Sequence, residues 1–342
     1  MTAAVSNHTV SDTSVMEIRD LGLTFHLQRT IADVLARRKG RAVRALNGIS
    51  LDLREGETLG VVGESGCGKS TLARCIVRLY EPQSGEIRYR GRDIFTDLRR
   101  SDREFNRLVQ MMFQDPYSSL NPRMTCGQIL SEALSVHKMR PPAEVPGRVA
   151  ELLDLVRLPQ DAAQKLPHQF SGGQRQRIAI ARALAVEPDV LIADELVSAL
   201  DVSVQAQVVN LLLELQERLG LTILFVAHDL RLVRHVSHRV AVIYLGRIVE
   251  IGDSETLFAN PAHPYSQALL SAAPSLDPDD KGQAVHLQGE LPSPLNIPPG
   301  CPFHVRCPYA AEICKRDVPV LRPVGYAGEV ACHLAEEINR NG

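Results

Sequence analysis

Eight residues constrain this chain more than any others: Gly63-Glu64-Ser65-Gly66-Cys67-Gly68-Lys69-Ser70. They fit the pattern Gly-x4-Gly-Lys-Ser, whose glycines let the backbone curl until several N–H groups face one anion. An apolar run, Thr58–Val62, precedes the loop, and a helical pattern from Lys69 to about Tyr80 follows it. The helix therefore points the positive end of its dipole at the same anion. Lys69 adds an ammonium for the β- and γ-phosphates, and the small hydroxyl of Ser70 suits Mg2+. A dinucleotide loop needs Gly-x-Gly-x-x-Gly, and that spacing is missing here.

A second feature belongs with the first. Asp189-Val-Leu-Ile-Ala-Asp194-Glu195 is an apolar strand ending in two acids. In a parallel sheet, strand ends of this kind emerge at the ligand crevice. Adjacent acids are often only solvated surface. Next to a phosphate loop, Asp194 is placed to hold Mg2+ through water and Glu195 to orient and deprotonate an attacking water. Val190–Ala193 and Thr222–Ala227 are continuous apolar runs, as expected of strands buried on both faces of a mainly parallel sheet. Residues 203–219 between them are amphipathic and helical.

The rest of the chain is organised around these elements. Residues 1–15 read as a disordered lead-in, Met16–Phe25 alternates as a strand, and the basic stretch 27–43 reads as an inserted hairpin or short helix. Leu46–Leu53, Val240–Leu245 and Arg247–Ile251 are strand-like. Residues 124–165 carry a helical apolar period at Leu130, Leu134, Val149, Leu152, Leu153 and Val156. Pro141, Pro142 and Pro146 break that region into separate helices. From 261 onward, prolines mark a loop-built C-terminal unit.

At Phe170-Ser171-Gly172-Gly173-Gln174, followed by an apolar helix, the sequence resembles the signature of the ATP-binding subunits of ABC transporters. Ser171 and the glycines open a helix, and a helix start with a hydroxyl and bare N–H groups is a second anion site. The resemblance implies two subunits packed head to tail, with Ser171, Gly172, Gly173 and Gln174 acting on the partner's ATP. It also assigns further roles. Gln114 senses the γ-phosphate, ligates Mg2+ and faces membrane subunits. Ser198 and Asp201 lie in the loop crossing the dimer interface. His228 is the switch histidine, and Phe25 stacks on adenine. Gly63, Ser65, Gly66, Cys67, Gly68, Lys69, Ser70 and Thr71 hold ATP with Asp194 and Glu195. The implied fold is a P-loop NTPase: a mainly parallel core sheet, an antiparallel β subdomain and a helical subdomain at about 115–185, together spanning 16–258. Two departures stand out. Leu196-Val197 replaces the family's Pro-Thr, which predicts a looser path into Ser198–Asp201. Phe170 replaces the usual Leu, a volume change that packing should tolerate.

The segment from Asn260 to Pro274, with His263, Pro264 and Tyr265, resembles the oligopeptide/dipeptide importer branch, which also holds nickel and some sugar importers. Residues 259–342 form its C-terminal unit. There Cys301, Cys307, Cys314 and Cys332 gather four of the chain's 7 cysteines. Four thiols in a small loop-built unit suit a [4Fe–4S] cluster or zinc, with free or disulfide-bonded thiols as the remaining reading. The resemblance implies the cluster, since members of the branch with a similar tail can carry one. The resemblance implies as partners a second ATPase subunit, a paralogue favoured over an identical copy, two transmembrane permeases and, indirectly, an extracytoplasmic solute-binding protein. The expected location is the cytoplasmic face of the inner membrane.

Composition excludes several rivals. Lys plus Arg is 38 against 40 for Asp plus Glu, a net charge of −2, so no nucleic-acid partner is expected. No window reaches the roughly 18 apolar residues of a membrane span. A soluble ABC ATPase of translation or repair usually carries two ATPase units or a coiled-coil insertion, and neither is present. A redox regulator and an exporter subunit fit the intact ATPase motifs and the importer-like tail less well.

Overall fold

The computed structural model describes residues 13–27, 41–98, 103–113, 120–271, 292–325 and 328–340. The basic stretch lies outside them from 28 to 40, as do Gln114 and residues 1–12 of the N-terminal lead-in.

The chain opens with strands β1 (Ser14–His26), β2 (Ala42–Arg54) and β3 (Thr58–Val62), then helix α1 (Lys69–Ile76), β4 (Ser84–Tyr89), β5 (Arg92–Asp93), α2 (Arg103–Leu108) and β6 (Val109–Met112). Next come α3 (Cys126–Val136), α4 (Val145–Leu155), α5 (Gly172–Leu184), β7 (Val190–Asp194), α6 (Val202–Leu219), β8 (Thr222–Val226), α7 (Leu230–Val236), β9 (Arg239–Tyr244) and β10 (Arg247–Asp253). The C-terminal part holds α8 (Ser254–Ala259), α9 (Pro264–Ser271), α10 (Glu312–Arg316), β11 (Arg322–Pro323), β12 (Glu329–Val330) and α11 (Ala335–Arg340).

Two boundaries differ from the pattern. β1 starts at Ser14, two residues early, and Val15 is already buried. α1 stops at Ile76 rather than near Tyr80. Arg78 turns to a φ of 58°, and the amides of Leu79 and Tyr80 fold back onto the Arg74 carbonyl. That positive φ ends the helical ladder.

Contacts divide the described chain into two compact units. The first takes residues up to Ser14, Leu53–Thr58 and Leu98–Ala227; the second takes Val15–Asp52, Leu59–Asp97 and the chain from His228 onward.

In the first unit, β6, β7 and β8 run parallel, with Val109 opposite Val190 and Val190 opposite Thr222. Every residue of β7 and β8 is buried, which is why their sequences read as unbroken apolar runs. Helix α6 ends at Gly220, whose φ of 65° is easy only for glycine. Helices α3, α4 and α5 pack on one another. The six periodic apolar positions of residues 124–165 are all buried. Thr125 and Gln128 cap α3 reciprocally, and Pro146 sits in the first turn of α4, where a missing N–H costs nothing.

In the second unit, β2, β1, β4 and β5 form one antiparallel sheet. β3 pairs parallel with β9, so the strand feeding the phosphate loop lies beside Val240–Val242. β9 and β10 form a hairpin across Leu245-Gly246, where both φ angles are positive, as a two-residue turn of right-handed twist demands. β12 pairs antiparallel with β10 on one side and with β11 on the other. Ala262, Val324, Val330 and Ala335 make a small separate core with Cys332 against it. Among the described residues no helix is long and apolar enough to cross a membrane.

Candidate nucleotide site

The phosphate loop lies wholly in the second unit. Gly63 leaves β3 with a φ of 151°, and a Cβ there would stand 2.2 Å from the Ile243 carbonyl. Gly68, before α1, has a φ of 114°, and its Cβ would stand 2.5 Å from the Ala45 carbonyl. These two positions therefore admit only glycine. The loop is pinned by Cys67: its carbonyl accepts from Gly246 N–H at 2.8 Å. Burial pushes the Cys67 thiol up while Lys69 pulls it the other way, which keeps the side chain an inert packing group. Ser65 and Gly66 form the exposed rim, and Ser70 and Thr71 are partly exposed at the helix start.

Lys69 is buried, and its ammonium donates to the carbonyls of Gly63 at 2.7 Å and Glu64 at 3.1 Å. Glu64 itself is held by groups that no local pattern announced. Its N–H donates to the Tyr265 hydroxyl at 2.9 Å, and its carboxylate receives both terminal nitrogens of Arg306. In the same unit, Phe25 meets the ring of Tyr80 edge to face at 5.2 Å, and His228 is exposed just ahead of the Asp229 cap of α7.

The first unit carries the other predicted residues. Asp194 ends β7 and is 3% exposed. Glu195 follows with a φ of 49°, a strained setting for a non-glycine residue and one that recurs at functional sites. Its N–H donates to the Val226 carbonyl at 2.8 Å, and its carbonyl accepts from the N–H and hydroxyl of Ser198. Leu196 and Val197, which stand where proline and threonine were expected, are both buried. The Gln205 amide donates to the carbonyls of Val197 and Leu200, each at 2.9 Å. A side chain thus fixes the backbone path that proline would have restricted. Asp201 is exposed at the start of α6.

Helix α5 begins with a capping box. Ser171 Oγ accepts from Gln174 N–H, and the Gln174 side chain accepts from Ser171 N–H at 3.0 Å. Ser171 keeps its hydroxyl proton for another acceptor, and the N–H groups of Gly172 and Gly173 have no intrahelical partner. A Cβ on Gly173 would fall 2.4 Å from Val204 Cγ1, and one on Gly172 3.0 Å from Leu200 Cδ2. The signature is therefore seated directly on Leu200 and Val204, beside Asp201. Phe170 is buried, so its extra volume is absorbed.

Cys301, Cys307, Cys314 and Cys332 line one cavity of about 10 Å³ with His304 and His333. None of the seven cysteines is in a disulfide. Burial pushes the thiols of Cys301, Cys307 and Cys332 up to about 11. Four thiols are the donor type that a soft metal or cluster takes. Among the described residues, however, no three His, Cys, Asp or Glu side chains stand close enough together to hold an ion.

Comparison with known proteins bears on this arrangement. A family model for ABC transporters matches residues 46–198, and one for the oligopeptide/dipeptide transporter C-terminal region matches 249–314. The oligopeptide transport ATP-binding protein AppF of Bacillus subtilis is 49% identical over 327 residues, covering 94% of this chain and 97% of AppF. The chain belongs to the ABC transporter ATPases. Solved ATPase cassettes share the fold. The Clostridium perfringens cbiO1 structure, part of the cbiONQ transporter complex, superposes with a TM-score of 0.60 at 28% identity, covering 72% of this chain and 91% of that one. The cassette MJ0796, a dimer with ADP and Pi after hydrolysis, gives 0.59 at 27%, covering 70% and 98%. These ATPases bind and hydrolyse ATP, and the C-terminal region places this chain with the oligopeptide/dipeptide group.

Tyr265, Arg306 and Gln205 were missed by sequence reasoning. Tyr265 sat in a segment singled out only for its family likeness, and nothing within a short window links Arg306 or Gln205 to a phosphate site.

Proposed function

We propose that this ATPase powers the import of oligopeptides or dipeptides. The observation that carries the reading is the joining, in one chain, of an ATPase cassette at 46–198 to the oligopeptide/dipeptide C-terminal region at 249–314. AppF, named for oligopeptide transport, supports it along nearly its full length. The cassette proper runs over 16–258, with its helical subdomain at about 115–185, and the C-terminal unit over 259–342.

In the proposed cycle, two such subunits, this chain and a paralogue, close head to tail on two nucleotides. Phe25 stacks on adenine, and the loop from Gly63 to Thr71 wraps the phosphates. Lys69 leaves its loop carbonyls for the β- and γ-phosphates. Ser70, Gln114 and Asp194 would hold Mg2+, which would supply positive charge to the phosphates. Glu195 takes the proton of the attacking water. His228 and the partner's copy of the Ser171–Gln174 signature steady the γ-phosphoryl group, with Ser198 and Asp201 along the seam. Hydrolysis reopens the pair, and the motion passes near Gln114 to two permeases at the cytoplasmic face of the inner membrane. A solute-binding protein delivers peptide from the far side.

The four C-terminal cysteines would be the donor set for a [4Fe–4S] cluster, with zinc or free thiols as the alternatives, and binding would require the side chains to draw closer than they stand here. Either group would staple a region that has little core of its own.

The test is reconstitution of the chain with its permeases and partner ATPase in vesicles, with labelled di- to pentapeptides, nickel and sugars offered in parallel. Peptide-stimulated ATP hydrolysis with peptide uptake is expected. Uptake of nickel or sugar without peptide uptake overturns the substrate assignment, and ATP turnover without permeases or pairing overturns the transport cycle.

A further inference from the structure

Glu64, the second residue of the phosphate loop, is gripped at four atoms. Its N–H donates to Tyr265 Oη at 2.9 Å, its carbonyl accepts from Lys69 Nζ at 3.1 Å, and its carboxylate accepts from Arg306 Nη1 and Nη2 at 2.9 and 3.0 Å. The Arg306 side chain is 6% exposed and that of Glu64 23%. This is a fork-on-carboxylate pair largely withdrawn from water, the geometry that gives an arginine pair both strength and direction.

The surroundings leave the guanidinium little choice. It lies 6.0 Å from the centroid of the Tyr244 ring. Tyr244, Tyr265 and Phe303 pack against one another at centroid distances of 4.6 to 5.5 Å and form the wall behind it. Its Nε has no acceptor among the described residues, and both terminal nitrogens are held by the Glu64 carboxylate. The backbone is held too, with Arg306 N–H donating to the Phe303 carbonyl at 2.9 Å and Cys301 N–H to the Cys314 carbonyl at 2.8 Å. Arg306 therefore belongs to the cysteine-bearing turn between Cys301 and Cys307.

A staple that only joined the C-terminal region to the rest of the unit could land on any neighbouring residue. This one lands on the residue whose carbonyl is a resting place for Lys69. Moving Glu64 moves that carbonyl and the first curl of the loop, and with them the geometry offered to a phosphate. We propose that Arg306 is a positioning residue of the ATP site: through Glu64 it holds the phosphate loop in its receiving shape, which makes the C-terminal region a determinant of nucleotide affinity. The proposal rests on ATP binding at this loop and not on the identity of the transported solute.

The test compares full-length Arg306→Gln, Arg306→Lys, Glu64→Gln and the double variant Arg306→Gln/Glu64→Gln. MgATP affinity is measured by titration, KM and kcat in the assembled transporter, and the melting temperature alongside. Arg306→Gln and Glu64→Gln are each expected to weaken MgATP binding and raise KM at least about fivefold, the lower range of site-to-site coupling. kcat should fall less than affinity does, because Glu195, His228 and the partner's signature lie outside this loop. The double variant should be no worse than the worse single, since both remove one interaction. Arg306→Lys should recover part of the affinity, as it restores charge without the fork. Unchanged affinity in Glu64→Gln, or single effects that simply add in the double, overturns the proposal while leaving the ATPase assignment intact. Should Arg306→Gln fail to give a cooperative melt, Glu64→Gln on the folded chain decides alone.

Discussion

Adding one methyl group to the signature tests whether its seat on the following loop matters to turnover. In Gly173→Ala, the new Cβ would fall 2.4 Å from Val204 Cγ1. Carbon atoms in contact prefer about 3.5 Å or more, so the start of α5 and Val204 must separate by roughly 1 Å. Val204 is β-branched and stiff at χ1, so backbone movement takes up much of the strain. Overpacking of this kind costs about 1–3 kcal/mol in stability. Its effect on catalysis is more telling. An N–H at hydrogen-bond distance from a phosphoryl oxygen leaves contact when displaced by about 1 Å. Losing one such charge-assisted bond costs about 1.5–3 kcal/mol, which is roughly a 10- to 150-fold fall in kcat. The assay is phosphate release by the assembled transporter, with MgATP affinity of the isolated chain as control, because the phosphate loop lies in the other unit. Val204 is only partly buried, so Val204→Ala should itself be mild and should restore most of the lost turnover when combined with Gly173→Ala. A double variant as slow as the single one refutes the reasoning, as does a single variant with normal turnover.

Other outcomes follow from the same geometry. Glu195→Gln should retain ATP, trap a closed pair on size-exclusion chromatography and lose hydrolysis; turnover at the normal rate removes Glu195 from the role of base. His263 is fully buried, and burial holds its pKa down to about 3, below the 6.5 of an open histidine. The unfolded chain therefore takes up a proton first, so stability is whole above pH 6.5 and drains as pH falls toward 3, by up to about 1.4 kcal/mol per pH unit. Buried Glu250, pushed up by desolvation, titrates with the opposite sign. Calorimetric melts from pH 7 to 5 should therefore be compared with His263→Asn, and an equal slope in the two proteins counts against the assignment. In metal-free protein, thiols held near 11 against 9.0 when unfolded keep their contribution below pH 9 and lose it toward pH 11. A melting temperature falling over that range, more shallowly in Cys301→Ser/Cys307→Ser, is the expected result. Anaerobically purified protein should be brown with about four irons and four sulfides per chain; colourless protein with stoichiometric zinc replaces the cluster by the alternative metal.

What the sequence determined by itself is the set of features whose cause lies within a few residues. The phosphate loop is legible because only glycine takes the backbone angles at Gly63 and Gly68, and the capping box at Ser171 because its two hydrogen bonds span three residues. β7 and β8 are legible because strands buried on both faces must be apolar throughout. The tertiary structure decided the rest. Gln205 stands in for the expected proline by reaching back to Val197 and Leu200, which a pattern of residue types does not encode. Tyr265 and Arg306 lie 201 and 242 positions from Glu64, and only the packing of Tyr244, Tyr265 and Phe303 brings them to the phosphate loop. Such contacts depend on which apolar faces meet after the chain has folded, and that choice is made by the whole core rather than by any stretch of sequence.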